Sequence, residues 1–288
     1  MTDENNDAKE QYSGPSGSPE PTVATESCRN DASGAVCGLI SAYTIFGPQN
    51  TDRRPAADRF YLAPAVGFLV GMVLALVAFV LYKLDVAVPA VAAVVILLLL
   101  VIMKFTPFGD LADHGNKLAA NNKNGAAGFG LAISVTLVVF ACMFSLDMMM
   151  LSVIWPLEVI AKNAPVAVAR YAKQGSEATA AMLEKTDQSA MIKSLGLSIV
   201  LALIALIICG VVYYCVTYEN MFSTDMIVTA VMAVLIAAVI AWLVGWFVAN
   251  RANGRSEAVE PAELGAANEI ARALILIVFI VLSAGVAI

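Results

Sequence analysis

The chain has 288 residues, 60% of them hydrophobic and only 14% charged, which lies outside the range of soluble globular domains. A soluble fold would need several helices apolar on every side with almost nothing to solvate them. The net charge of −6 is concentrated in Asp3, Glu4, Asp7, Glu10, Glu20, Glu26 and Asp31, so the rest is close to balanced and offers no basic field for nucleic acid.

Residues 1–34 are polar and contain the run GPSGSPEP. They bury too little apolar surface to offset the entropy of ordering, which predicts a disordered acidic tail. No basic region followed by an apolar core is present, so the tail does not read as a signal peptide. Residues 35–47 are apolar but too short to cross a bilayer, which suits an interfacial or re-entrant helix. A polar patch with Arg53, Arg54 and Arg59 follows.

From there an all-α, polytopic membrane bundle is expected over residues 35–288. Its seven candidate spans are 61–82, 86–103, 128–146, 149–167, 195–217, 226–248 and 270–288, each near the roughly 20 residues a bilayer requires. The fourth holds Pro156, Glu158, Lys162 and Pro165; if it is interfacial, six remain. Lysines and arginines, Arg272 among the flanking charges, fall in alternate connections, which places the N-terminus in the cytoplasm and the C-terminus outside the cell membrane. The large polar connectors then share the cytoplasmic face, the side from which a charged substrate comes.

The cysteines Cys28, Cys37, Cys142, Cys209 and Cys215 form no CxxC pair and no Cys/His cluster, which argues against zinc. No Walker A loop, dinucleotide fingerprint or HExxH occurs.

The connector between the second and third spans reads KFTPFGDLADHGNKLAANNKNGAAG. Asp110, Asp113 and Lys117 recur at helical spacing and would share one face. Two carboxylates on such a stripe suit a divalent cation and, through it, phosphate; a solvated turn of helix accounts for the same spacing. His114, the only histidine, stands beside them as a candidate base. Glycines at 125, 128 and 130 lead into the third span and serve either phosphate contact or close helix packing. Glu158 and Lys162 lie four apart, as a mutually neutralising pair or as site residues. Residues 168–194 alternate charge with Ala, Met and Leu, as an amphipathic surface helix or a cap would. Glu257, Glu260, Glu263 and Glu269 cluster before the last span, where a helix N-terminus favours acids.

The order of these segments resembles the cobalamin synthase family, adenosylcobinamide-GDP ribazoletransferase. Pro64, Gly67 and Gly71 match an early P-x-x-G-x-x-x-G run. Leu111, Ala112, Asp113, Gly115 and Leu118 match an acidic H-x-D-G-L-A-D-x-x-D-G stretch. Glu158 and Lys162 match the Glu-x-x-x-Lys feature of archaeal-type members. Leu264, Gly265, Ala266, Ala267 and Glu269 match a C-terminal T-G-D-x-L-G-A-A-x-E element. Several family acids and the motif histidine are replaced, by Gly109, Pro107, Asn116, Asn124 and Ala262, so Asp110 would substitute by a one-residue shift. The resemblance implies transfer of phosphoryl-linked cobinamide from its GDP ester to α-ribazole or its phosphate, with GMP released. Mg²⁺ would sit on Asp110, Asp113 and Glu269. Lys123, Glu158, Lys162 and Glu269 would contact substrate, and Asp110 and Asp113 would serve catalysis; His114, where the family motif places no histidine, stays a candidate base by its position alone. A homo-oligomer is compatible with it. The alternative is a catalytically degenerate member that binds a ligand or moves a small solute.

Overall fold

The computed structural model describes residues 32–46, 54–119, 125–146, 150–217 and 224–286. In those residues every regular element is a helix. The expected tail therefore lies outside the described residues up to 31, and helix begins at Ala32, slightly inside the expected boundary. In chain order the helices are α1 (Ala32–Tyr43), α2 (Arg54–Asp58), α3 (Ala63–Lys83), α4 (Val88–Ile102), α5 (Thr106–Leu118), α6 (Ala126–Leu146), α7 (Met150–Ala161), α8 (Asn163–Tyr171), α9 (Ala180–Lys185), α10 (Gln188–Thr217), α11 (Thr224–Arg255) and α12 (Pro261–Val286).

Several boundaries follow from single residues. Pro64, Pro89 and Pro107 stand in the first turns of α3, α4 and α5, where a missing N–H costs nothing and a fixed φ favours the helix. After Ile102 the chain bends by 82° into α5. Lys104 and Phe105 make that bend with φ of 56° and 58°, a left-handed conformation that side chains resist. The Phe105 N–H donates to the Leu100 carbonyl at 2.7 Å and the Lys104 ammonium to the Ser41 carbonyl at 3.1 Å, offsetting the strain.

Among the described residues five helices are long and apolar enough to cross a membrane, or six if the bent α4–α5 pair counts as one span. Residues 149–167, expected as the fourth span, do not count on that measure because no single helix covers them. Pro165 cannot offer an N–H to the Ala161 carbonyl, and the segment divides there into the short helices α7 and α8. From Val153 to Ala169 it is buried, enclosed by protein, so its broken backbone does not meet lipid. It packs on α3 through Gly67 and Gly71, where added Cβ atoms would strike the Glu158 and Trp155 carbonyls. Small residues thus allow the close approach that membrane helices exploit.

The polar ends of the bundle gather at one face. The Ile45 N–H bonds the Ile102 carbonyl at 2.9 Å, tying the end of α1 to that of α4. Arg255 at the end of α11 donates to the Lys117 carbonyl at 2.8 Å. In α10, Ser194 donates to Asn163 Oδ1 at 2.9 Å. Since α6 leaves this face and α10 begins at it, α7 and α8 bring the chain back.

The expected amphipathic helix over 168–194 is replaced by the end of α8, a turn, the six-residue α9 and the start of α10. The turn is held instead by the α11–α12 linker: Ser176 N–H donates to the Val259 carbonyl and Val259 N–H to the Gln174 carbonyl, both at 2.9 Å.

Candidate functional site

Helix α5 lies across the polar face and carries Asp110, Asp113, His114 and Lys117 within two turns. Its packing on α12 is set by Gly265, where an added Cβ would overlap the Asp110 carboxylate. Lys117 Nζ donates to Glu260 Oε2 at 2.7 Å and Glu263 Oε1 at 2.8 Å. Glu263 also accepts the Glu260 N–H at 2.8 Å, closing the first turn of α12, where a carboxylate is favoured by the orphan N–H groups. On the other side, Asn116 Oδ1 accepts the Gly128 N–H at 2.9 Å, which fixes α5 on α6. Of the glycines leading into α6, Gly128 thus serves close packing, since its Cβ would overlap the Ala112 carbonyl.

Below α5 lies a buried charged group. Arg272 of α12, fully buried, donates to Glu158 Oε1 at 2.6 Å and Oε2 at 2.7 Å, and to Glu269 Oε2. Glu269 Oε1 accepts in turn from Asn268 at 2.8 Å. Lys162, 2% exposed, has no ion pair among the described residues; Arg272 occupies Glu158, the glutamate that acts on it. Its Nζ lies 5.2 Å from the ring centroid of Tyr43, at the end of α1.

The electrostatics of α5 follow from this crowding. Burial, then the Asp113 carboxylate, raise Asp110 to about 7; Lys162 opposes the rise and Glu263 adds to it. Burial lowers the His114 imidazole below its ordinary value, although Glu263 works the other way, and its Nδ1 has no hydrogen-bond partner among the described residues. Burial also works against the Lys117 ammonium, but the bonds from Glu260 and Glu263 outweigh it and hold the group above its usual range.

The sequence-derived residues Asp110, Asp113, His114, Glu158, Lys162 and Glu269 thus fall on α5, α7, the α7–α8 junction and the third turn of α12, around one end of the bundle. Lys123 lies outside the described residues. Three members of the cluster were missed as site residues: Arg272, counted only as a flanking charge; Glu263, taken only as a helix-start acid; and Tyr43, for which no signal existed. Among the described residues no three His, Cys, Asp or Glu side chains are arranged to hold a metal ion. The donor chemistry still fits Mg²⁺. Asp110 and Asp113 repel one another and neither has an ion-pair partner among the described residues, whereas Glu158, Glu269, Glu260 and Glu263 do. Mg²⁺ commonly takes one or two carboxylates and completes its shell with water and phosphate oxygens.

A family model described as CobS, cobalamin-5-phosphate synthase, matches residues 35–280. No curated protein and no solved structure matches the chain.

Proposed function

The chain belongs to the cobalamin-5-phosphate synthase family, and we propose that it joins adenosylcobinamide-GDP to α-ribazole, or to its 5′-phosphate, on the cytoplasmic face of the cell membrane. The ribazole hydroxyl oxygen attacks the phosphorus that carries cobinamide. The P–O bond to the GMP phosphate breaks, GMP leaves, and the hydroxyl proton passes to a base. The observation that carries this reading is the meeting of α5 and α12, with Asp110 seated on Gly265 and coupled to Asp113, Lys162 and Glu263. On this reading acids from one connector and the start of the last helix, with a buried cation, would act on a common substrate.

Phosphoryl transfer needs positioning and charge neutralisation more than covalent help. Asp110 and Asp113 would hold Mg²⁺, which supplies neutralisation of the phosphoryl oxygens when bound. Glu269 is better read as a positioning group, since its carboxylate is already bonded to Arg272 and Asn268. Lys162 contributes a desolvated positive charge, stronger toward an anion than the same charge in water. His114, kept neutral by burial, is the candidate acceptor for the hydroxyl proton.

The test is turnover of adenosylcobinamide-GDP with α-ribazole in isolated membranes supplied with Mg²⁺. Wild type should release GMP, and Asp113→Ala should be at least about 100-fold slower, the scale of losing one electrostatic contact to the reacting group. Equal rates would remove the assignment. The degenerate binding or transport reading would instead give corrinoid uptake or binding without GMP release.

A further inference from the structure

Helix α1 is shorter than a span, yet it is docked firmly. Ala35 and Leu39 are fully buried, and the Gly38 position faces the Ala56 side chain. Its C-terminal end is tied to the α4–α5 bend twice, through Ile45 N–H to the Ile102 carbonyl and Lys104 to the Ser41 carbonyl. These bonds set Tyr43 against Lys162, whose ammonium is 5.2 Å from the ring centroid. A buried ammonium with no carboxylate in ion-pair contact is costly, and Glu158 and Asp110 attract this one only from a greater distance. An aromatic face offsets part of that cost by attracting the cation with its quadrupole, and it does so without neutralising the charge.

We propose that Tyr43 is a positioning residue: its ring holds the Lys162 ammonium charged and aimed at the phosphate oxygens of a nucleoside-diphosphate group. A carboxylate in the same place would cancel the charge; an aliphatic side chain would leave it unsupported. The identity of the full substrate rests on the reading given above, but the assignment of Tyr43 concerns only the diphosphate portion.

The experiment uses GDP as the probe, bound to the purified full-length chain in detergent with Mg²⁺ and followed by calorimetry. Tyr43→Leu should weaken GDP about 5- to 30-fold, the range of a desolvated cation–π contact. Tyr43→Met, which keeps bulk without a π face, should do the same and serves if the leucine variant does not fold. Tyr43→Phe should restore most of the lost affinity. On a Lys162→Met background, Tyr43→Leu should change affinity less than about twofold, because the two groups act as one unit. Additive losses, a phenylalanine variant no better than leucine, or no GDP binding by wild type would each overturn the proposal. Coupled GDP binding in a protein that never releases GMP from adenosylcobinamide-GDP would support Tyr43 and overturn the ribazole-transfer reading.

Discussion

Arg272 reaches from α12 to α7 and holds both carboxylate oxygens of Glu158, at 2.6 and 2.7 Å. It binds Glu269 as well, one turn before it on its own helix. The arrangement joins two helices far apart in sequence at a depth where water does not help. A buried pair of this kind adds little net stability over an apolar one. Breaking it from one side is another matter, since carboxylates would be left desolvated and unpaired. Arg272→Met should therefore cost about 3–5 kcal/mol, read as a lower midpoint of thermal unfolding in detergent. Adding Glu158→Gln to Arg272→Met should return part of the loss. A double variant as unstable as the sum of the singles would show that the contact does not join the two helices.

The lysine clamp on α5 should divide unequally between its acids. Glu260 is half exposed and Glu263 nearly buried, with side chains 52% and 7% accessible. An exposed pair is screened and contributes roughly 0–1 kcal/mol. Glu263→Gln also weakens the acceptor for the Glu260 N–H, so it should cost about 1–2 kcal/mol, with capping included. Glu260→Gln should be nearly silent. Denaturation of both variants at low and at high salt distinguishes them, and equal effects would contradict the burial difference.

Gly265 makes a sharper test of the α5–α12 contact. A methyl group there would overlap the Asp110 carboxylate, so Asp110 must swing away. Gly265→Ala should lower turnover about tenfold or more, as a misplacement of about 1 Å does, while helical content is kept. Gly130 is the matched control. It lies on α6, and a Cβ there meets nothing, so Gly130→Ala should be neutral or stabilise by up to about 1 kcal/mol. Equal activity in the two variants would separate Asp110 from the reaction.

The bundle was legible in the sequence because lipid imposes length and apolarity, and the long helices follow those rules. The shared face of Asp110, Asp113 and Lys117 was legible too, since helical spacing alone fixes it. The Arg272–Glu158 contact was not: it joins positions 114 residues apart, and no local pattern selects one buried partner from several glutamates. The bend at Lys104 and Phe105 also gave no warning, because the left-handed turn uses neither Gly nor Asn. Pro165 did signal a break, but the sequence could not tell a broken span in lipid from one wrapped in protein. Tyr43 reads as one more aromatic residue in an apolar stretch until α1 is docked over Lys162.

Asp110 links stability to function through its protonation. Its carboxyl is raised to about 7, chiefly by burial and then by Asp113, against an ordinary value near 4. The folded protein therefore holds a proton there that the unfolded chain releases between about pH 4 and 7. The associated stability is fully present below about pH 4 and is lost as the pH rises through 7. Asp110→Asn removes this penalty, so its midpoint of thermal unfolding should exceed that of wild type by a few degrees at pH 8, and the gap should close toward pH 4. The same variant should lose turnover at every pH, because the amide cannot hold a cation as a carboxylate does. Mg²⁺ at pH 8 should raise the midpoint of wild type more than that of Asp110→Asn, since only a ligand favouring the folded state stabilises it. A gap that is constant from pH 4 to 8, or an equal response to Mg²⁺, would show that Asp110 is neither strained by its neighbours nor relieved by a metal.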